Sequence, residues 1–159
     1  MTSQLSVSVK DGENFAAVNL GDFSQLHQYS FDIPEKDFKV SGKAFLNQIL
    51  NLTSAEVSLN NLAPKKSIPF YHKHRLNEEI YIVVQGEGEF QVNDKVFSIK
   101  QGSVVKVNPE GERCLRNTSD TENLCFIVIQ SRINSHPDST IEDGFATEKQ
   151  VSWVGKEQI

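Results

Sequence analysis

Tyr71-His72-Lys73-His74-Arg75-Leu76-Asn77-Glu78-Glu79-Ile80-Tyr81-Ile82-Val83-Val84-Gln85-Gly86 holds two of the chain's four histidines, one residue apart, followed by a carboxylate pair heading an apolar run. Successive side chains of an extended segment point to opposite faces, so His72 and His74 share one face. Arg75-Leu76-Asn77 is a tight turn that folds the next strand back beside them. Glu79 leads that strand in phase with Tyr81 and Val83, while Glu78 falls on the other face as a solvated neighbour. Two imidazoles and one carboxylate converging from paired strands form a divalent-metal site with open coordination positions.

Upstream, Val57, Leu59 and Asn61 alternate with Glu56, Ser58 and Asn60, and Pro64-Lys65-Lys66 turns the chain. Ile68, Phe70, His72 and His74 then share one face of a strand, so the histidines face inward if Ile68 and Phe70 do. Gly86-Glu87-Gly88 permits a bend, after which Phe90 and Val92 alternate with Glu89 and Gln91. Asn93-Asp94 reads as a hairpin turn, and Gln101-Gly102 turns into Val104 to Val107. Past Pro109-Glu110-Gly111, Arg113, Leu115 and Asn117 share a face; Leu115 is the natural inward residue, so Arg113 projects inward with it. A last hairpin is expected around Ser119-Asp120, which makes Cys114 and Cys125 candidate cross-strand neighbours, read as free thiols. Short strands at such intervals, without a long amphipathic helix, argue an all-β barrel or double-sheet jelly roll.

The ends are less patterned. Residues 1–13 are polar and expected to be loosely held. Phe15 to Leu20 and Gln28 to Ile33 read as strands separated by Gly21-Asp22, with Pro34 ending the second. Glu35 to Lys43 reads as a charged connection, and Ala44 to Leu52 fits a strand or one helical turn, with context favouring the strand. This divides the chain into an N-terminal part (1–54) packing on a barrel (55–130), and a C-terminal extension (131–159). The lone tryptophan, Trp153, is expected to dock that extension on the barrel or on a partner subunit. His27 and His136 read as isolated surface residues.

The central stretch resembles the first cupin motif, G(X)5HXH(X)3-4E(X)6G, through His72, His74, Glu79 and Gly86, with Lys66 in place of the leading glycine. The second, G(X)5PXG(X)2H(X)3N, matches at Gly102 and Asn117; Asn108, Glu110 and Arg113 stand for its proline, glycine and histidine, and Pro109 and Gly111 look slipped by one residue. The resemblance covers about residues 55–130 and implies a double-stranded β-helix, the cupin jelly-roll barrel. It implies a metal (Fe, Mn, Ni or Zn) held by His72, His74 and Glu79, and a homodimer, which would also cover an exposed strand edge. The pocket would be lined by Phe70, Tyr81, Phe90 and Arg113. Arg113 cannot ligate a cation, because its guanidinium stays protonated and only donates. It either anchors an acidic group of a ligand or replaces metal charge by pairing with Glu79. Tyr81 is a candidate proton donor or hydrogen-bond partner. The function expected is metal-dependent chemistry on, or binding of, a small oxygen-rich or anionic molecule, as in an oxygenase or isomerase. The alternative is a metal-free ligand-binding or sensor cupin.

The chain has 159 residues, enough for one domain with a continuous core, and a formal net charge of −5. Charges are mixed, with no Lys/Arg run to suit nucleic acid or a membrane surface. No apolar stretch is long enough for a span, and no secretory leader pattern is present, so a cytoplasmic location is expected. Two cysteines are too few for a disulfide scaffold.

Overall fold

The computed structural model describes residues 7–33, 38–136 and 142–159. Its strands are β1 (Val9–Gly12), β2 (Phe15–Val18), β3 (Ser30–Ile33), β4 (Phe38–Ser41), β5 (Lys43–Phe45), β6 (Glu56–Leu62), β7 (Asn77–Gln85), β8 (Glu87–Val92), β9 (Lys95–Lys100), β10 (Val104–Val107), β11 (Arg113–Asn117) and β12 (Leu124–Arg132). They build a five-stranded sheet of order β10-β7-β12-β6-β5 and a three-stranded sheet of order β11-β8-β9, with β1-β2 and β3-β4 as separate hairpins. Isolated bridges join Ser67 to Arg116 and His72 to Arg113, which lays the segment 67–72 along β11. The result is the all-β jelly roll expected.

The core lies between the sheets. Tyr81, Val83, Phe126 and Val128 from the larger sheet meet Phe90, Ile99 and Leu115 from the smaller. Period-two alternation produces this: on β7, Glu79, Tyr81 and Val83 are buried while their neighbours are not. Gly86 links β7 to β8 at φ 82°, and a Cβ there would strike the Asn123 carbonyl oxygen. Only glycine makes this bend without strain.

Several expectations are corrected. Val9–Gly12 pairs with Phe15–Val18, so residues 9–12 are held in a hairpin; residues 1–6 lie outside the described residues. The strand read from Gln28 begins at Ser30, because Phe23–Gln28 is a 3-10 helix. Pro34 to Asp37 lie outside the described residues, but the rest of the supposed charged connection forms β4 and the start of β5. Ala44 to Leu52 divides: Lys43–Phe45 is strand, and Leu46–Leu50 is one helical turn, α1, closed by Asn51 at φ 53°. Asn tolerates this left-handed cap, and the Asn47 amide ties the turn by donating to the Leu52 carbonyl (2.7 Å).

The stretch 67–74 alternates in burial but is no continuous strand, since Pro69 lacks a ladder donor. The hairpin expected around Ser119-Asp120 does not form. β11 and β12 belong to opposite sheets, and the connection crosses between them. Buried Asn117 fastens that crossing by donating to the carbonyls of Leu62 (2.9 Å) and Glu122 (2.8 Å) and accepting from Ser119 N–H (2.9 Å). Cys114 faces Gln91 and Cys125 faces Asn61 and Gln85, so these free thiols are not cross-strand neighbours. Trp153 is 86% exposed, so it makes no dock on the barrel; the tail end touches β1 where the Lys10 ammonium donates to the Ile159 carbonyl. Among the described residues, no helix is long and apolar enough to cross a membrane.

Candidate metal centre

Backbone pairing with β11 aims the two histidines. His72 N–H donates to the Arg113 carbonyl (3.3 Å) and Arg113 N–H returns to the His72 carbonyl (3.1 Å); His74 N–H donates to the Pro109 carbonyl in the turn that leads into β11 (3.2 Å). Tyr71 and Lys73 are therefore exposed while His72 and His74 turn in, half-buried. Glu79 reaches the same point from β7, only 4% exposed. One donor atom from each of His72, His74 and Glu79 lies within 4.8 Å of the others.

The pairwise distances suit a shared cation. His74 Nε2 lies 3.0 Å from Glu79 Oε1 and His72 Nε2 lies 3.5 Å from Glu79 Oε2. Ligand bonds of about 2.1 Å at tetrahedral or octahedral angles separate neighbouring donor atoms by roughly 3.0–3.5 Å. His74 Nε2 is buried against the Glu79 carboxylate, and His72 presents its Nε2 to the same group. Protonation states fit as well. Burial lowers the His74 pKa, and Arg113 and His72 push the same way, outweighing Glu79; the ring is held neutral, the form that ligates. Burial opposes ionisation of Glu79, but His72, Tyr81 and His74 outweigh it and hold the carboxyl at about 2.

Arg113 is 0% exposed and points inward with Leu115 and Asn117. Its Nε lies 3.3 Å from Glu79 Oε2, Nη1 donates to the His72 carbonyl (3.3 Å) and Nη2 to the Asn108 carbonyl (3.4 Å). Tyr81 donates to Glu79 Oε2 at 2.6 Å, a charge-assisted bond that orients the carboxylate. Burial, and then the Glu79 charge, raise the Tyr81 pKa, so its proton stays on the phenol. Glu78 pairs outside with Lys106 at 3.2 Å. Cys114, on the opposite face from Arg113, directs its thiol at the Ile68 carbonyl (3.0 Å) and is not among the converging donors.

His72, His74, Glu79, Tyr81 and Arg113 line a cavity of about 360 Å³ together with Phe70. Phe90 does not line it. That ring stands behind Tyr81 at 4.8 Å between centroids, fully buried, and faces a separate cavity of about 500 Å³ beside Tyr71 and Gln91. Sequence reasoning missed the other half of the main cavity. The β3-β4 hairpin brings Phe31, Ile33, Phe38 and Val40 over it, and β5 adds Lys43 and Phe45. Alternation within strands this short was the sole available signal, and it is too weak to use.

Comparison with known proteins agrees with the fold. A family model described as Cupin domain matches residues 58–130. Among solved structures, a cupin protein from Bacteroides fragilis is similar with a TM-score of 0.69 at 26% identity, covering 86% of this chain and 99% of that one. A protein described as a predicted oxalate decarboxylase, from Thermotoga maritima, is similar with a TM-score of 0.52 at 27% identity, covering 61% of this chain and 84% of that one. An uncharacterized protein of Methanocaldococcus jannaschii is 26% identical over 80 residues, which is 50% of this chain and 63% of that relative.

Proposed function

Residues 58–130 form a cupin domain, and on that premise we propose that the barrel holds a divalent metal ion at His72, His74 and Glu79 and acts on a small anionic, oxygen-rich molecule. Oxygenase or isomerase chemistry is the class this reading favours, and the likeness to the Thermotoga maritima protein is compatible with acidic substrates. The observation that carries the proposal is the convergence of three donors within 4.8 Å. Two imidazoles and a carboxylate suit Fe, Mn, Ni or Zn. Such an ion, when bound, supplies Lewis acidity and open positions for oxygen donors.

The surrounding residues have definable parts. Tyr81 fixes the Glu79 carboxylate through its 2.6 Å bond. Arg113 balances the Glu79 charge, so an ion's two positive charges would stay uncompensated by the protein and favour an anionic partner. The hairpin above the cavity gives it an apolar roof through Phe31, Ile33, Phe38 and Val40. The same reading takes the protein as a cytoplasmic homodimer acting on a small molecule, with no role for nucleic acid or membrane.

Elemental analysis of protein purified without added metal tests the proposal against the His72→Ala/His74→Ala double variant. Wild type should carry or accept one ion per chain and the folded double variant none; equal stoichiometry in both would end the idea. A second reading, a metal-free ligand-binding cupin, is favoured by one observation: Arg113 Nε sits 3.3 Å from Glu79 Oε2, where a guanidinium already supplies positive charge. Wild type that resists metal loading selects this second reading.

A further inference from the structure

Lys43 lines the main cavity with a cationic side chain that the metal centre does not use. It opens β5, placed by Gly42, whose φ of 82° and close approach to the Asn61 carbonyl oxygen require glycine. Among the described residues the Lys43 ammonium makes no hydrogen bond or ion pair; its recorded neighbour is the Phe45 ring, 4.9 Å from nitrogen to centroid. Burial lowers its pKa against the opposing pull of Glu79 and Glu56. Those two carboxylates form no ion pair with the ammonium and offset its burial only in part, so an anionic ligand in the cavity would offset more of the cost.

Strand register fixes what lies between Lys43 and the metal centre. Lys43 pairs with Asn60, Asn60 with Phe126, and Phe126 with Val83; the next row runs Phe45, Ser58, Val128, Tyr81, and Glu79 lies one row beyond. β5 is therefore three strands from β7, roughly 14 Å between backbones at about 4.8 Å per strand, a span the Lys43 side chain shortens, since its ammonium feels the Glu79 charge. The wall between is mostly apolar, with Phe126 and Val128 below and Phe31 and Phe38 of the hairpin above, and Asn60 of β6 stands beside Lys43 as a polar exception. The Phe31 and Phe45 rings meet edge-on at 5.1 Å, and Phe38 and Phe70 at 6.5 Å, so the roof is tied to both ends.

We propose that this cavity takes an elongated molecule with an acidic group at each end and an apolar middle: one end lies at His72, His74 and Arg113, and the other pairs with Lys43. The inference rests on the reading of the cavity as a ligand site and names the class of ligand.

Calorimetric titration of zinc-loaded protein with α,ω-dicarboxylates from butanedioate to decanedioate, and with the matching monocarboxylates, tests it. At the best chain length the diacid should bind at least about tenfold tighter than its monoacid, the scale of one charge-assisted contact. Lys43→Met should erase that advantage without changing zinc stoichiometry, and Lys43→Arg should keep most of it. Should Lys43→Met not fold, Lys43→Gln carries the same comparison. If no diacid outbinds its monoacid, or the neutral variant keeps the advantage, Lys43 is a solvated residue at the cavity mouth and the inference is overturned. Repeating the series with chelator present separates the two proposals. A Lys43-dependent advantage in protein that takes no metal supports this inference and ends the metal reading; zinc binding without such an advantage does the reverse.

Discussion

Replacing Arg113 with Met keeps much of the side chain's length while removing its charge and all three donor nitrogens. The two carbonyl contacts are long, 3.3 and 3.4 Å, so their loss contributes little. The decisive change is at Glu79, which loses a guanidinium 3.3 Å from Oε2 while remaining 4% exposed. Unit charges about 4 Å apart interact by about 4 kcal/mol at an effective dielectric constant of about 20. Measured breakage of buried pairs clusters at roughly 3–5 kcal/mol, because the surviving charge stays buried. For a domain of this size that lowers the melting temperature on the order of 10 °C. Urea unfolding of Arg113→Met with chelator present measures the loss. Adding Glu79→Gln removes the stranded charge and should recover most of it, and zinc should partly rescue the single variant by supplying positive charge at the same carboxylate. A single variant within about 1 kcal/mol of wild type, or a double variant no more stable than the single, would refute the argument that charge pairing holds these side chains together.

Further outcomes follow from the same geometry. Glu79 is lowered from 4.5 to about 2 in the fold; the unfolded chain therefore binds more protons between those values, and stability should be full above about pH 4.5 and fall by roughly 3 kcal/mol as pH drops through that window. The lowered His74 pKa has the same sign, with stability falling as pH drops below the ordinary histidine range, and acid unfolding of Glu79→Gln should lose only the carboxylate part. Tyr81→Phe removes the 2.6 Å donor to Glu79; it should cost about 1.5–3 kcal/mol in chemical denaturation and weaken metal affinity about 10–100-fold in chelator competition. Gly86→Ala forces a side chain into φ 82° and against the Asn123 carbonyl, so it should destabilise by at least about 1 kcal/mol, with unchanged melting as the contrary result.

Facing within a strand is a local property, and the sequence by itself determined it. Alternation along 77–85 placed Glu79 with Tyr81 and Val83, and the phase of Leu115 turned Arg113 inward; both follow from a period of two that needs no knowledge of the partner strand. The His-X-His spacing worked even where 67–74 is no regular strand, because extended backbone alternates with or without a full ladder. Which strands pair is a different matter, decided by contacts between residues far apart in the chain. Hence β11 and β12, adjacent in sequence, joined opposite sheets, and Phe90, inward by phase, packed behind Tyr81 and away from the cavity. Short elements were equally closed to pattern reading: three residues of β5 carry too few alternations to show that Lys43 faces inward. That β3 and β4 roof the pocket depends on packing over a barrel that exists only once the sheets have formed. The donor set was thus readable along the chain, and the shape and charge of the space around it belong to the tertiary structure alone.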